Sequence, residues 1–142
     1  MKKTALLLAL LCITLLSFAQ NAGAIVGVWL NQEKDAKIEI YKSGEKYYGK
    51  LIWGKNIFEA DGKTSKKDTK NSDASLRSRN LLNLVILKDF VYDDGEWTDG
   101  TIYDPKNGKT YSCVMTIENN TLHITGYIGF TWIGRTVVWT KP

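Results

Sequence analysis

Apolar and polar residues alternate with a period of two through most of this chain, and that pattern decides what it can fold into. In Lys37–Lys42, Ile38 and Ile40 alternate with Glu39 and Tyr41. Side chains two apart share one face of a strand, so such a segment buries one face and wets the other. The same reading covers Val26–Leu30, Lys46–Trp53, Leu84–Tyr92, Glu96–Tyr103, Lys109–Ile117, Thr121–Ile128 and Gly134–Thr140, giving eight strands in all. Their links are mostly tight: SGEK at 43–46, Asp93-Asp94-Gly95, Asp104 to Gly108, and Asn119-Asn120. No amphipathic stretch at helical spacing is long enough to cover an open sheet. An antiparallel meander then protects its edges by closing into an all-β, up-and-down barrel. Two packed sheets are the alternative that the same pattern allows.

Residues 54–80, GKNIFEADGKTSKKDTKNSDASLRSRN, break the alternation between the third and fourth strands. A connection of that length is usually functional or mobile, and a short helical turn is expected around Asp73 to Arg79. Asp68, Asn71, Asp73, Arg77 and Arg79 crowd into a dozen residues of it. Two arginines at a barrel mouth can grip a carboxylate or phosphate, because the guanidinium fork binds such groups bidentately. Equally, Arg77 or Arg79 can pair with Asp68 or Asp73, or cap free carbonyls, and so pin the segment as a lid. The expectation is a lid whose arginines serve both purposes.

The first residues, MKKTALLLALLCITLLSFAQ, carry a positive start, an apolar middle and a small-x-small site at Ser17-Phe18-Ala19. This is the pattern of a signal peptide over residues 1–19, with a second cleavage site after Ala24 and an uncleaved anchor as the alternative. It predicts a periplasmic destination, and secretion fits the same leader. The remaining 20–142 suit one domain with one core. Loss of Lys2 and Lys3 lowers the formal charge from +4 to +2, too weak a balance to argue for nucleic acid. Only Cys113 of the two cysteines lies beyond the leader, so no internal disulfide is expected.

Five tryptophans and seven tyrosines make a markedly aromatic small domain. Trp29 and Trp139 read as core, since aromatics dominate packing in small domains. Trp53 and Trp132 lie next to loops and are the better ligand-facing candidates, with Phe130 to Ile133 as an apolar loop between Gly129 and Gly134. Catalytic signals are poor. His123 stands alone on the expected solvent face, and no spaced set of His or Cys suggests zinc or another metal. Cys113 shares a face with Met115 and reads as a buried thiol lacking an activating base. Asp93, Asp94 and Glu96, or Asp99 and Asp104, supply carboxylates for an acid–base pair, but nearly all sit in turns. No phosphate-cradling glycine motif runs from a strand into a helix, and no cofactor is implied.

Gly27-Val28-Trp29 on the first strand, with Arg135 before Trp139 on the last, resembles the Gly-x-Trp and late-arginine pattern of lipocalin-like barrels. The resemblance implies that Arg135 packs over the Trp29 indole, by cation–π attraction, and closes one barrel end. GVWLN at 27–31, IEIYKSGEKYYGKLIW at 38–53, LRSRNLLNLVIL at 76–87, GEWTDGTIYDPKNGKTYSC at 95–113 and GRTVVWTK at 134–141 together resemble the exported bacterial family called domain of unknown function 2147. That family implies a lipocalin-like architecture and has no established activity. This chain departs from its pattern at Ser72, where the family carries proline, and at Asn83, where it favours glycine. A barrel of this size can hold one small ligand. The expectation is a non-catalytic binder of a small apolar or amphipathic molecule, contacted by Trp53, Arg77, Arg79 and Trp132. Gly27, Trp29, Asp68, Asn71, Arg135 and Trp139 are expected to be structural. An envelope protein with a packed interior and a protein partner is the alternative.

Overall fold

A computed structural model describes residues 22–128 and 131–142, except the side chains of 128 and 131–134. The leader-like residues 1–19 lie outside the described residues. Eight strands form one antiparallel sheet in chain order: β1 Gly27–Leu30, β2 Ala36–Ser43, β3 Lys46–Gly54, β4 Val85–Asp93, β5 Glu96–Asp104, β6 Lys109–Glu118, β7 Thr121–Ile128 and β8 Thr131–Trp139. The sheet curls until β1 meets β8. Leu30 and Thr140 exchange backbone hydrogen bonds of 2.7 and 2.9 Å, and the Gln32 side chain accepts from the Val138 N–H at 2.9 Å. Among the described residues a single bridge closes the ring, in keeping with the four residues of β1, and Gln32 covers part of the edge that this short strand leaves. The result is a nearly closed up-and-down barrel.

Turn chemistry follows the sequence. Asp94 and Gly95 both take positive φ, as do Asn119 and Asn120, the left-handed pair that a two-residue hairpin needs to match strand twist. Asn83 takes φ +64 just before β4, a conformation that glycine and asparagine share. One expected boundary shifts. β8 begins at Thr131, not Gly134, because Tyr127 and Ile128 of β7 pair with Trp132 and Thr131. Residues 131–133 of the expected apolar loop are therefore strand, and Phe130 lies outside the described residues.

Inward residues of β2 to β5 pack closely against one another. Gly49 faces Leu87 so closely that an added Cβ would come within 2.7 Å of the Leu87 side chain. At Gly100 a Cβ would fall onto the Phe90 ring. These two glycines are places where a neighbour's bulk occupies the space that a side chain would take. Phe90, Leu87, Ile38 and Ile40 are almost wholly buried there. On the far side of the ring Cys113, Met115, Leu122 and Trp139 complete the core.

Candidate functional site

Chain order in an up-and-down barrel sends the β1–β2, β3–β4 and β5–β6 connections to the same end. Residues 55–84 cross that end. They are held by their own short antiparallel pairings, Phe58 with Ser65 and Lys67 with Asn80. Asp73 caps a 3₁₀ turn, Ala74–Leu76, by accepting from the Ser75 N–H at 2.9 Å. The turn is shorter than the helical segment expected from Asp73 to Arg79.

Beneath this strap lies a buried carboxylate. Asp68 is 1% exposed and accepts from the Tyr103 hydroxyl at 2.6 Å, the Arg79 Nε at 2.8 Å and the Asn71 Nδ2 at 3.0 Å. The Arg79 guanidinium also stands 5.3 Å from the Tyr103 ring centroid. Arg77 turns the other way and donates its Nε to the Asn71 carbonyl at 2.7 Å. Burial pushes the Asp68 carboxyl up, but its hydrogen bonds from Tyr103, Asn71 and Arg79 and the Arg79 charge outweigh that, so its pKa falls below the ordinary value. Burial and the adjacent Asp68 push the Tyr103 phenol the other way. The group is thus an ionised carboxylate with three donors, a stable strut between the strap and β5. The β5–β6 turn completes it: a Cβ at Gly108, which takes φ +74, would collide with the Lys70 carbonyl of the strap. Lys106 on the same turn reaches Asp35 at 3.3 Å.

The structure therefore joins Asp68, Asn71, Arg77 and Arg79, and adds Tyr103, which sequence reading missed. Its signal was topological, since Tyr103 closes a strand at the end where the long connection lies. Trp53 stands apart from this group. A bulge between Lys37 and Ile38 lets Trp53 pair with Lys37 while Leu51 pairs with Ile38. One extra residue flips the face, so Trp53 lies outside the barrel with the Lys37 ammonium 5.6 Å from its ring. The Trp132 side chain lies outside the described residues.

The opposite closure corrects one expectation. Lys141, not Arg135, places its charge over Trp29, with Nζ 4.4 Å from the ring centroid. Leu30 pairs with Thr140, which sets Lys141 across from Trp29. Arg135 is exposed and pairs with Gly126; six residues along a strand it is about 20 Å away. Gly27 lies against the same lysine, where a Cβ would sit 3.6 Å from Nζ. The Trp29 Nε1 donates to the Ile25 carbonyl at 2.8 Å, so the segment before β1 packs with the indole. Trp139 is buried, in the core.

Trp97 differs from Trp29 in one respect. It is 2% exposed, packed edge-on to Tyr47 at 6.4 Å and tilted against Tyr92 at 5.0 Å. Its Nε1 is buried with no hydrogen-bond partner among the described residues. Cys113 is fully buried and its thiol is pushed up to about 12 by burial, which disfavours a nucleophilic thiolate. Among the described residues no cluster of three His, Cys, Asp or Glu could hold a metal ion.

A family model described as "Uncharacterized protein conserved in bacteria (DUF2147)" matches residues 27–141. The chain belongs to this family. Its solved structural relatives include protein HP1028 from the human pathogen Helicobacter pylori, described as belonging to the lipocalin family. That structure matches with a TM-score of 0.71 at 26% identity, over 83% of this chain and 82% of that one. No curated protein matches the chain. Membership in this DUF2147 family and the lipocalin likeness agree with the eight-stranded ring, and neither assigns an activity.

Proposed function

We propose that this DUF2147 protein is an exported, non-catalytic binder of a small apolar or amphipathic molecule, held inside the barrel in the periplasm. The observation that carries this reading is the Trp97 Nε1, a buried donor without a partner among the described residues. Native interiors rarely leave such a donor unmatched, because the desolvation cost is about 1–3 kcal/mol. A ligand oxygen reaching Trp97 would recover that cost, while Tyr47, Tyr92 and Met115 offer it apolar walls. The leader-like pattern at residues 1–19 supports export. Asp68 is fully engaged within the strap, and Arg77 and Arg79 each donate an Nε there, which supports a part for them in holding the mouth closed over the ligand.

A second reading rests on Gly49 and Gly100, where Leu87 and Phe90 fill the barrel to contact. It makes the protein a packed envelope component that acts through a protein partner. Native mass spectrometry of protein isolated from its own envelope separates the two. A bound small molecule, released on denaturation, is expected for the binder. The bare polypeptide mass from every preparation defeats the binder and leaves the packed component.

A further inference from the structure

A second constellation lies on the outer face of the barrel, where β3 and β4 part. Their register is held by Tyr47 with Phe90, Gly49 with Leu87 and Lys50 with Val85, and it slips on both sides of Gly49. Asp89 takes φ +64 at this seam, a conformation that Asp adopts more readily than most residues and that suits an irregular pairing. Beside this seam a shallow, open groove of about 330 Å³ runs across β2, β3 and β4, lined by Tyr41, Ser43, Tyr48, Val85 and Lys88. Tyr41 and Tyr48 are cross-strand partners, with ring centroids 5.9 Å apart and planes within 23°.

The charges around the groove are unequally matched. Lys50 pairs with Glu39 at 3.3 Å, and Lys46 approaches Asp89 at 3.8 Å. The Tyr48 hydroxyl donates to Asp89 at 3.1 Å, which fixes that ring. Lys88 is exposed and has no ion pair among the described residues. The groove thus offers stacked aromatic carbon, hydroxyls and one unmatched ammonium on an open surface. A bare phosphate would call for several converging unpaired cations, and a purely apolar ligand for enclosure.

The Lys50 ammonium stands 5.7 Å from the Tyr41 ring centroid, which leaves Tyr48 the freer ring, and we propose that this groove binds a saccharide carrying a carboxylate, with its C–H face against Tyr48 and the edge of Tyr41 and its carboxylate at Lys88. Sugar hydroxyls that do not reach Ser43 stay in water, which an open groove permits.

The test is titration of the full chain with trigalacturonate, followed by NMR signals of the tyrosine rings and lysine side chains, with cellotriose as the uncharged control. Saturable shifts at Tyr41, Tyr48 and Lys88 are expected, with weaker binding of cellotriose. Lys88→Glu should weaken trigalacturonate binding about fivefold to tenfold, since reversal roughly doubles the loss of one exposed ion pair. Lys88 is exposed, so an unchanged melting temperature is expected for this variant. Absence of shifts at the two tyrosines, equal affinity for cellotriose, or an affinity that Lys88→Glu leaves unchanged overturns the proposal.

Discussion

Lys141 holds its ammonium 4.4 Å from the centroid of the Trp29 ring, on the strand position that faces Trp29 across the closing seam. The contact brings a residue near the end of the chain onto one near its start, so it acts on the barrel's closure. The Trp29 ring is buried and Lys141 is exposed, and such a contact with a solvated cation contributes about 0.5–1 kcal/mol. Lys141→Ala should lower the unfolding free energy by that amount in urea titration, and Arg135→Ala should stay within about 0.5 kcal/mol of the parent, as exposed sites do. Equal losses at both positions would contradict the assignment of the closing cation to Lys141.

The Asp68 strut makes a pH prediction. Its carboxyl is held below the ordinary value of 3.8 in the folded chain, so the unfolded state binds its proton first as pH falls. The stabilisation is therefore complete above the ordinary value and drains away as pH drops through the lower, folded one. Melting temperature should fall in that acidic window, and hydrogen exchange in residues 55–84 should rise before exchange in β6 and β7. Asp68→Asn should flatten this part of the profile while lowering stability at pH 7.

Removing one partner tests the same strut differently. Arg79→Ala leaves Asp68 buried with Tyr103 and Asn71 but without its counter-charge, and breaking a buried pair in this way costs on the order of 3 kcal/mol. Arg77→Ala loses a bond to the Asn71 carbonyl, about 1 kcal/mol, and an exposed attraction to Asp73 that solvent screens. Thermal denaturation should rank Arg79 above Arg77. A reversed order would place the strut's charge balance elsewhere.

At Gly108 the strap and the β5–β6 turn meet backbone to backbone. Gly108→Ala adds a Cβ into the Lys70 carbonyl and also strains a left-handed residue, with overpacking alone costing about 1–3 kcal/mol. The expected readout is faster limited proteolysis within 55–84 without loss of the strand signal in circular dichroism.

How far these relationships could be read in advance depended on whether they are local. Ile38 and Ile40 declared β2 through alternation alone, and Asp94-Gly95 declared its turn, because both depend on neighbours in sequence. Asp68 and Arg79 could be grouped by spacing within one loop. Tyr103 could not, since it joins them from 35 positions away. Trp53 changed face through a bulge that costs one residue and leaves no composition signal. The exchange of Arg135 for Lys141 has the same root: the stagger at which a barrel closes fixes which cation meets Trp29, and no local pattern encodes it.

Two buried indoles provide the sharpest comparison. Trp29→Phe strands the Ile25 carbonyl that now accepts the indole N–H, adding an unsatisfied acceptor to the packing loss. Trp97→Phe instead removes a donor that has no partner among the described residues, so relief of its desolvation offsets part of the lost ring volume. The difference should be about 1–2 kcal/mol in favour of Trp97→Phe when both variants are unfolded in urea. The order reverses for ligand retention. Protein carrying Trp97→Phe should lose the copurifying molecule in native mass spectrometry, whereas Trp29→Phe should keep it. If Trp97→Phe proves the more damaging to bare-protein stability, its N–H already has a partner and the interior donor is not available to a ligand.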